Sequence, residues 1–221
     1  MDHLDHRAEG LKDVVRHGYD EASYRYRPEP GDVDRFRHSA AEYEGWLGEL
    51  YRRLPPGAEV LDLGCGIGVP VARRLSERFR VTGVELSPIQ VARARRLAPK
   101  VEILEDDMTR VEFSAGRFSG VVAFYSIIHV PLREQPALFD RIARWLRPDG
   151  VLVATLGETA WEGIEEDWLG SGASMYWSHT DRPTYRAWLE DRGLRVIEER
   201  FVPEENAGHA LFVAVRAGGS G

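Results

Sequence analysis

The stretch that decides the fold is Val60-Leu61-Asp62-Leu63-Gly64-Cys65-Gly66-Ile67-Gly68. Its first four residues are mostly apolar and predict a buried strand, and three alternate glycines follow directly. Pro70 suits the first turn of a helix, which we predict to run from residue 70 to residue 79. In an open α/β sheet, ligands bind beyond the carboxyl ends of the strands, where this turn lies. The stretch therefore predicts a ligand site directly after the first strand.

The spacing of the glycines and the acid before them indicate the charge of the ligand. The turn has the spacing G-x-G-x-G, whereas dinucleotide-binding turns have G-x-G-x-x-G. Glycine has no Cβ, so the backbone can approach a ligand closely. Asp62 stands two positions before Gly64, where it would repel a phosphate and would suit an ammonium group. We therefore predict a ligand that carries a positive charge.

Acidic residues also follow the second and third predicted strands. Glu85 lies about 20 residues after the glycine turn, where a carboxylate can accept hydrogen bonds from both hydroxyls of a ribose. Asp107 can accept a hydrogen bond from an adenine amino group while Met108 packs on the ring. Asp106 is the alternative acceptor at the same place. These positions predict that the ligand contains a nucleoside.

From residue 57 onward, short strands alternate with amphipathic helices. After the first strand, further strands are predicted over 81–84, 101–104, 120–124, 151–155, 194–201 and 210–215. A helix begins at Ser87-Pro88, and another ends before Pro148-Asp149-Gly150. Alternating strands and helices predict a mostly parallel sheet covered on both faces. The last two strands have no helix between them, so we expect one antiparallel edge on an open, doubly wound α/β sheet.

Residues 58–155 resemble the class I S-adenosylmethionine-dependent methyltransferases of the broad small-molecule type. The resemblance rests on the 60–68 stretch, the strand ending in Glu85, Asp107-Met108 and Phe124-Tyr125-Ser126-Ile127-Ile128-His129. It implies a Rossmann-like seven-stranded sheet with an antiparallel last strand, with S-adenosylmethionine as cofactor and S-adenosylhomocysteine as product. The cofactor-binding residues it implies are Asp62, Gly64, Gly66, Gly68, Glu85, Leu86, Asp107, Met108, Phe124 and Tyr125. A backbone carbonyl of Phe124 or Tyr125 is expected to meet the cofactor's amino group.

Two segments outside this cofactor-binding core are predicted to build the acceptor pocket. Residues 1–54 form a helical N-terminal cover, in which 14–27 is a short helix and loop and 33–54 an amphipathic helix. Residues 156–216 form a substrate lid and a closing helix with strands, and 156–180 has no clear helix of its own. The expected substrate-binding residues are Tyr19, Tyr24, Trp161, Tyr176 and Trp177. A satellite core is the alternative for the aromatics of 156–180. All 221 residues are expected to form one methyltransferase domain.

Two histidines are candidates for a general base. His129 follows the fourth strand, and His179 follows Tyr176-Trp177-Ser178 in the predicted lid. Either can take a proton from a phenol, a hydroxyl or an acid at neutral pH. We expect His179 to be the base and His129 to be as much structural as catalytic. Cys65 is expected to be a small packing residue, and no Cys/His cluster has the spacing of metal ligands, so no metal is predicted.

Composition limits the class of partner. The net charge is −7 and the basic residues are scattered, which argues against a nucleic-acid partner. No apolar run approaches the ~20 residues that span a bilayer, so no membrane association is predicted. A single cysteine fits a reducing compartment, and we expect the protein to be cytoplasmic. The sequence does not specify an oligomeric state.

The predicted function is methylation of a small molecule, with oxygen ahead of nitrogen or carbon as acceptor. The loop Tyr125-Ser126-Ile127-Ile128 lacks the Asn- or Asp-Pro-Pro-aromatic run of enzymes that methylate amino groups of bases and glutamine. One alternative is a non-methylating use of the same fold, such as cyclisation or aminopropyl transfer. Another is a regulatory binding module that retains the cofactor; an intact set of glycines with Glu85 argues against it.

Overall fold

The computed structural model describes residues 2–28, 40–204 and 207–218, with the backbone alone for 2–7 and 40. The helices in these ranges are α1 (Asp2–Tyr26), α2 (Ala40–Trp46), α3 (Gly48–Arg53), α4 (Val71–Leu75), α5 (Pro88–Leu97), α6 (Gln135–Trp145) and α7 (Arg182–Glu190). The strands are β1 (Glu59–Leu63), β2 (Arg80–Glu85), β3 (Glu102–Glu105), β4 (Phe118–Ala123), β5 (Leu146–Gly157), β6 (Trp161–Glu165), β7 (Met175–His179), β8 (Leu194–Glu204) and β9 (Ala207–Arg216).

The main sheet has seven strands in the order β3-β2-β1-β4-β5-β9-β8. Strands β1 to β5 pair in parallel, whereas β9 pairs antiparallel with both β5 and β8. The predicted doubly wound α/β sheet with an antiparallel closing strand is therefore confirmed. The strand order reverses between β1 and β4, so the carboxyl ends of these two strands flank the crevice where such sheets bind ligands.

The sheet is buried on both faces, which explains why its central strands are almost continuously apolar. All six residues of β4 are buried, as expected for a parallel strand between two layers. One face packs against the apolar side of α6, including Phe139 and Trp145. The other packs against α3, α4 and α5, with Leu50 and Leu75 fully buried. This double layer holds the carboxyl ends of β1, β2 and β4 in a rigid frame.

The N-terminal segment differs from the predicted short helix and loop. Asp2–Tyr26 is one continuous helix that packs against α5 and β7. The packed side of α1 mixes apolar residues such as Val15 and Ala22 with polar ones: Ser23 donates to Gln90 at 3.1 Å, and Arg93 donates to the Ser23 carbonyl at 2.7 Å. The prediction was wrong because polar residues within the packed face weaken the apolar periodicity.

The amphipathic helix predicted over 33–54 is two short helices in its described part. Residues 33–39 lie outside the described residues, and α2 and α3 meet at Leu47, with Gly45 and Gly48 on either side. Glycine weakens a helix interior, which accounts for the break. The predicted apolar face is nevertheless buried, because Tyr43, Leu47, Leu50 and Leu54 are all in the core.

The segment 156–180 contains regular structure that the sequence analysis missed. β6 and β7 form a separate two-stranded antiparallel sheet, and β7 packs against α1. Val15, Ala22, Trp168, Met175 and Tyr176 make a small core of their own between helix and hairpin. The satellite-core alternative therefore describes this segment. Two element lengths also differ: α4 ends at Leu75 and not at residue 79, and β5 begins at Leu146.

Candidate active site

The glycine turn after β1 is shaped by two glycines with left-handed backbone. Gly64 has φ +73°, and a Cβ there would lie 2.3 Å from the Ser126 Cβ, so only glycine fits. Gly66 has φ +54° and faces open space, because a Cβ there would meet no atom within 4 Å. The amides of Gly64 and Cys65 both donate to the Val84 carbonyl, at 2.8 and 3.1 Å. The turn is thus tied to β2 and leaves room for a ligand above Gly66.

Two buried carboxylates stand beside this turn. Asp62 is 3% exposed, and its Oδ2 has no hydrogen-bond partner among the described residues. Burial, together with the nearby charge of Glu85, raises the pKa of Asp62 to about 7. Glu85 accepts hydrogen bonds from the amides of Ser87 and Gly66, both at 2.9 Å. Burial also raises the pKa of Glu85, and those backbone donors oppose the rise.

The third acid is held by the N-terminal helix. Lys12 of α1 donates to Asp107 Oδ2 and to Thr109 Oγ1, each at 2.7 Å, and lies 2.5 Å from Glu134. Burial would raise the pKa of Asp107, but the hydrogen bonds from Lys12 and Thr109 outweigh it and lower the pKa. Asp106 is exposed and accepts from the Asp107 amide at 2.7 Å. Asp107 is therefore the acid built into the site.

These groups line a cavity of about 980 Å³, including its open mouth, between the sheet and α1. Of the predicted cofactor residues, those on its wall are Asp62, Gly64, Gly66, Glu85, Leu86, Asp107, Met108, Phe124 and Tyr125. Gly68 is not on the wall; a Cβ there would lie 3.0 Å from the Ala98 Cβ, so this glycine lets α5 pack closely. Cys65 also lines the cavity, and burial raises the pKa of its thiol, which keeps it protonated.

The opposite wall comes from α1 and α2. It contains residues that the sequence analysis did not single out: Lys12, Val15, Tyr26, Arg27 and Tyr43. Lys12, Val15, Tyr19 and Tyr26 are spaced by three, four and seven residues, which places them on one face of a helix. That spacing was the available signal, and it was missed because the segment was not interpreted as one long helix.

His129 lies on the cavity wall and is paired with Tyr19. Its Nδ1 is 2.7 Å from the Tyr176 carbonyl oxygen, which only accepts, so Nδ1 carries the proton. Its Nε2 therefore has a lone pair and accepts from the Tyr19 hydroxyl at 3.0 Å. Burial lowers the pKa of His129 to about 4. The imidazole is thus neutral at physiological pH.

The remaining predicted residues lie away from the cavity wall. Tyr24 is 57% exposed, with the Arg93 guanidinium 4.0 Å from its ring centroid, and Trp161 is 48% exposed on β6. The Tyr176 hydroxyl donates to Glu162 at 2.7 Å, so Tyr176 reaches the site only through its carbonyl. Trp177 packs behind His129, with 4.4 Å between ring centroids. These positions correct the expectation that the four rings contact the acceptor.

His179 also lies outside the cavity. Its Nδ1 donates to the Thr159 carbonyl at 2.6 Å, and its ring packs over Gly157 at the start of the hairpin segment. Burial lowers the pKa of His179. The hairpin of β6 and β7 packs its apolar side against α1 and supports His129. Its side chains therefore do not cover the cavity directly, as a lid would. Of the two histidines expected as candidates for a base, His129 therefore lines the cavity and His179 does not, and the catalytic role of either stays a prediction.

The three carboxylates that line the cavity fit S-adenosylmethionine as a ligand. That molecule carries an ammonium and a sulfonium, and a buried carboxylate such as Asp62 is stable only when it is neutralised or paired with a cation. Asp62 Oδ2 offers such a group an acceptor that has no other hydrogen bond within the described part of the chain. Glu85 and Asp107 line the same cavity and lie at the carboxyl ends of β2 and β3, the next two strands outward from β1 in the sheet.

Two features are absent from the described part of the chain. None of the helices there is long and apolar enough to cross a membrane. No three His, Cys, Asp or Glu side chains there are grouped as a metal site would require.

Comparison with known proteins gives a consistent family. A family described as "Methyltransferase domain" matches residues 60–150. The chain is 30% identical over 205 residues to the methyltransferase GfsG of Streptomyces halstedii, covering 84% of this chain and 70% of that protein. It is 33% identical over 151 residues to a carboxy-S-adenosyl-L-methionine synthase of Chromohalobacter salexigens, covering 62% of this chain and 55% of that protein.

A solved structure extends the likeness to the fold. It is the Burkholderia thailandensis 1,6-didemethyltoxoflavin-N1-methyltransferase with bound 1,6-didemethyltoxoflavin and S-adenosylhomocysteine. The TM-score is 0.69 at 20% identity, and the match covers 95% of this chain and 90% of that one. Together with the cavity and its acids, these matches show that the chain belongs to the class I S-adenosylmethionine-dependent methyltransferases.

Proposed function

We propose that the protein transfers the cofactor's methyl group to an oxygen atom of a small molecule held in this cavity. The observation that carries the proposal is the hydrogen-bonded pair of Tyr19 and His129 on the cavity wall. A hydroxyl acceptor must lose a proton as the methyl arrives, and this pair can take it. An amine that arrives neutral would not need such a base.

When bound, S-adenosylmethionine supplies an already activated methyl group on a sulfonium, so the protein's main task is to align the acceptor with it. Asp62, Glu85 and Asp107, which line the sheet side of the cavity, would hold the cofactor. Tyr19 projects from α1 on the opposite wall. The acceptor is thereby confined between the glycine turn and α1, where water has limited access.

The proton passes from the acceptor oxygen to the Tyr19 hydroxyl while Tyr19 donates its own proton to His129 Nε2. Burial raises the pKa of Tyr19 well above its ordinary value, so Tyr19 stays a phenol and acts only as a relay. The pKa of His129 is about 4, so its imidazole is neutral with a lone pair throughout the neutral range; as a weak base it takes the proton in concert with methyl transfer and not before it. The Tyr176 carbonyl keeps Nδ1 protonated and thereby directs Nε2 towards the cavity side.

The size and chemistry of the cavity support a small acceptor. The cavity must hold the cofactor as well, and the wall opposite the sheet carries Tyr19, Tyr26 and Tyr43. Such walls suit planar or apolar molecules. The solved N1-methyltransferase named above binds 1,6-didemethyltoxoflavin. The net charge of −7 adds support against a nucleic-acid acceptor.

A second candidate is a use of the cofactor that does not transfer its methyl group. The relative from Chromohalobacter salexigens is named as a synthase that makes carboxy-S-adenosyl-L-methionine, which supports this alternative. The two candidates differ in their products. Mass spectrometry distinguishes a methylated acceptor plus S-adenosylhomocysteine from a modified cofactor.

The test is single-turnover transfer from S-adenosylmethionine labelled in its methyl group, with a panel of phenols, alcohols and amines. We expect a phenol or alcohol to be labelled. His129→Ala and Tyr19→Phe should then each lower the transfer rate at least about tenfold, because a positioned base contributes about 10²–10⁴.

His179→Ala is the matched control, since this imidazole lies outside the cavity, and its rate should stay near that of the unaltered protein. Calorimetry with S-adenosylhomocysteine should give similar affinities for all three variants. Labelling of amines alone, or full rates in His129→Ala, would contradict the proposal.

A further inference from the structure

Lys12 is a buried cation that joins three segments of the chain. Its ammonium has three N–H donors, and each has an acceptor within 2.7 Å. Asp107 and Thr109 follow β3 and accept at 2.7 Å each, and Glu134, just before α6, lies 2.5 Å away. The Lys12 side chain is only 9% exposed, so these contacts are shielded from solvent. Removal of the ammonium would therefore leave two acids close together without a cation between them.

Lys12 and Tyr19 make two separate connections from α1 to one loop. On the helix they are seven residues apart, which is two turns and about 10 Å along one face. Their partners Glu134 and His129 are five residues apart in the loop between β4 and α6. The Tyr19 hydroxyl is 3.0 Å from His129 Nε2. Two contacts at separate points fix both the position of α1 along this loop and its rotation about its own axis.

The loop that carries His129 and Glu134 is itself braced from the core. Gln135 is fully buried, and its side-chain amide donates to the carbonyls of Ile127 and Val130 at 3.1 and 2.8 Å. These bonds tie the beginning of α6 back to the turn that presents the imidazole. Because the loop is held in this way, the geometry of the proton relay depends on where α1 lies.

We propose that Lys12 is a positioning residue for methyl transfer, because its ion pairs hold α1 where Tyr19 meets His129. Lys12 acts through the helix, since all three of its donors are engaged by the neighbouring segments. Placement matters steeply for such a relay: a shift of about 1 Å in a catalytic group can cost about 10²-fold in rate. The inference rests on the proposed function, which gives Tyr19 and His129 their role.

The first measurement is the ¹⁵N chemical shift of His129 Nε2, which reports its hydrogen bond without cofactor or acceptor. Tyr19→Phe supplies the shift expected when that hydrogen bond is absent, and His129→Ala identifies the signal among the seven histidines. We expect Lys12→Met and Glu134→Ala to move the signal towards that of Tyr19→Phe. Glu134 lies outside the described cavity wall, so its variant tests the connection without altering a ligand contact.

Arg110→Met is the matched control. The exposed Arg110 side chain pairs with Glu9, so it also joins α1 to the segment after β3, but in contact with solvent. The His129 signal of this variant should stay at the position of the unaltered protein. Thermal unfolding checks that each variant is folded. Glu134→Ala, at a partly exposed position, still tests the inference should Lys12→Met not fold.

The second measurement is single-turnover transfer to the phenol or alcohol that the unaltered protein methylates. We expect the rate at saturating cofactor to fall at least about fivefold in Glu134→Ala, while its affinity for S-adenosylhomocysteine stays within about twofold. An unmoved His129 signal in either folded variant overturns the inference, and so does an equal movement in Arg110→Met. A moved signal without labelling of any phenol or alcohol would support the placement of Tyr19 by Lys12 and contradict the proposed function alone.

Discussion

Asp62 is a carboxylate placed where ionisation is unfavourable in the free protein. It ends up buried beside a second acid, Glu85, and one of its oxygens has no hydrogen bond within the described residues. A cationic ligand removes this penalty, because it supplies the missing charge and donor together. At the residue scale, the buried Asp62 carboxylate therefore lowers the free energy of unfolding of the ligand-free protein, and binding of a cationic ligand removes this cost.

The first prediction concerns Asp62→Asn in the ligand-free protein. One pKa unit corresponds to about 1.4 kcal/mol, so a rise from 3.8 to about 7 costs at most about 4 kcal/mol. An asparagine amide that lacks partners would cost about 2 kcal/mol in turn. We expect the variant to have a free energy of unfolding about 2 kcal/mol higher at pH 8, measured by urea denaturation.

The pH dependence of this difference follows from the direction of the shift. A carboxyl whose pKa is raised on folding destabilises the protein increasingly between the unfolded value, about 4, and the folded value, about 7. The difference in free energy of unfolding between Asp62→Asn and the unaltered protein should therefore decrease steadily as pH falls from 7 to 4. Asp13→Asn, at an exposed position, should change stability by less than about 0.5 kcal/mol at any pH. A gain that does not vary with pH would contradict this account.

At the scale of elements, α1 is attached to the rest of the protein by a small apolar core and by several polar contacts. Lys12 joins it to Asp107, Tyr19 to His129, and Asp20 to the Ser87 hydroxyl at 2.5 Å. Two of these partners line the cofactor cavity, so ligand binding and the docking of α1 act on the same groups. A helix held in this way opens more readily than the central strands, which are held by apolar burial.

The second prediction is that S-adenosylhomocysteine slows amide hydrogen exchange in residues 10–27. The ligand fills the space beneath α1 and makes opening of the helix more costly, because the contacts to both walls are then lost together. The measurement is exchange followed by mass spectrometry with and without ligand. Peptides from α7, which packs on β8 away from the cavity, provide the internal control and should exchange equally in both states. Unchanged exchange over 10–27 would show that α1 is not a cover.

On the scale of the whole molecule, two apolar layers hold the sheet while the site lies at its carboxyl edge. Trp145 and Phe139 are buried on one face, and Leu50 and Leu75 on the other. The residues that stabilise the fold therefore differ from those that bind the ligand. A ligand raises the free energy of unfolding mainly because it binds the folded state and not the unfolded state.

The third prediction follows from this linkage. At a concentration of S-adenosylhomocysteine about 100 times its Kd, the free energy of unfolding should rise by about 2.7 kcal/mol. For a chain of this length, that corresponds to an increase in Tm of about 5–10 °C. Glu85→Ala should show a much smaller increase at the same concentration, because hydrogen bonds to a charged group contribute about 1.5–3 kcal/mol. Differential scanning calorimetry measures both increases in Tm. Equal increases in Glu85→Ala and the unaltered protein would show that Glu85 does not bind the ligand.

The sequence by itself determined the architecture and the acidic side of the site. Asp62, Glu85 and Asp107 each lie at or just beyond the carboxyl end of their own strand, and parallel pairing of β1, β2 and β3 brings such ends to one edge of the sheet. A pattern that is local in the chain was enough to predict this wall, because the sheet repeats the same geometry from strand to strand. The antiparallel closing pair was also predicted from a local pattern, because the last two predicted strands have no helix between them.

Only the tertiary structure decided which residues form the other wall. The Tyr19–His129 contact joins residues 110 positions apart, and the Lys12–Asp107 contact joins residues 95 apart. Which histidine meets the cavity depends on where α1 and the hairpin pack against the sheet, and the sequence does not specify those positions. The sequence analysis favoured His179, but the fold places His129 against Tyr19 on the cavity wall and His179 against the Thr159 carbonyl. Long-range packing, which no local pattern encodes, therefore determined the acceptor side of the site.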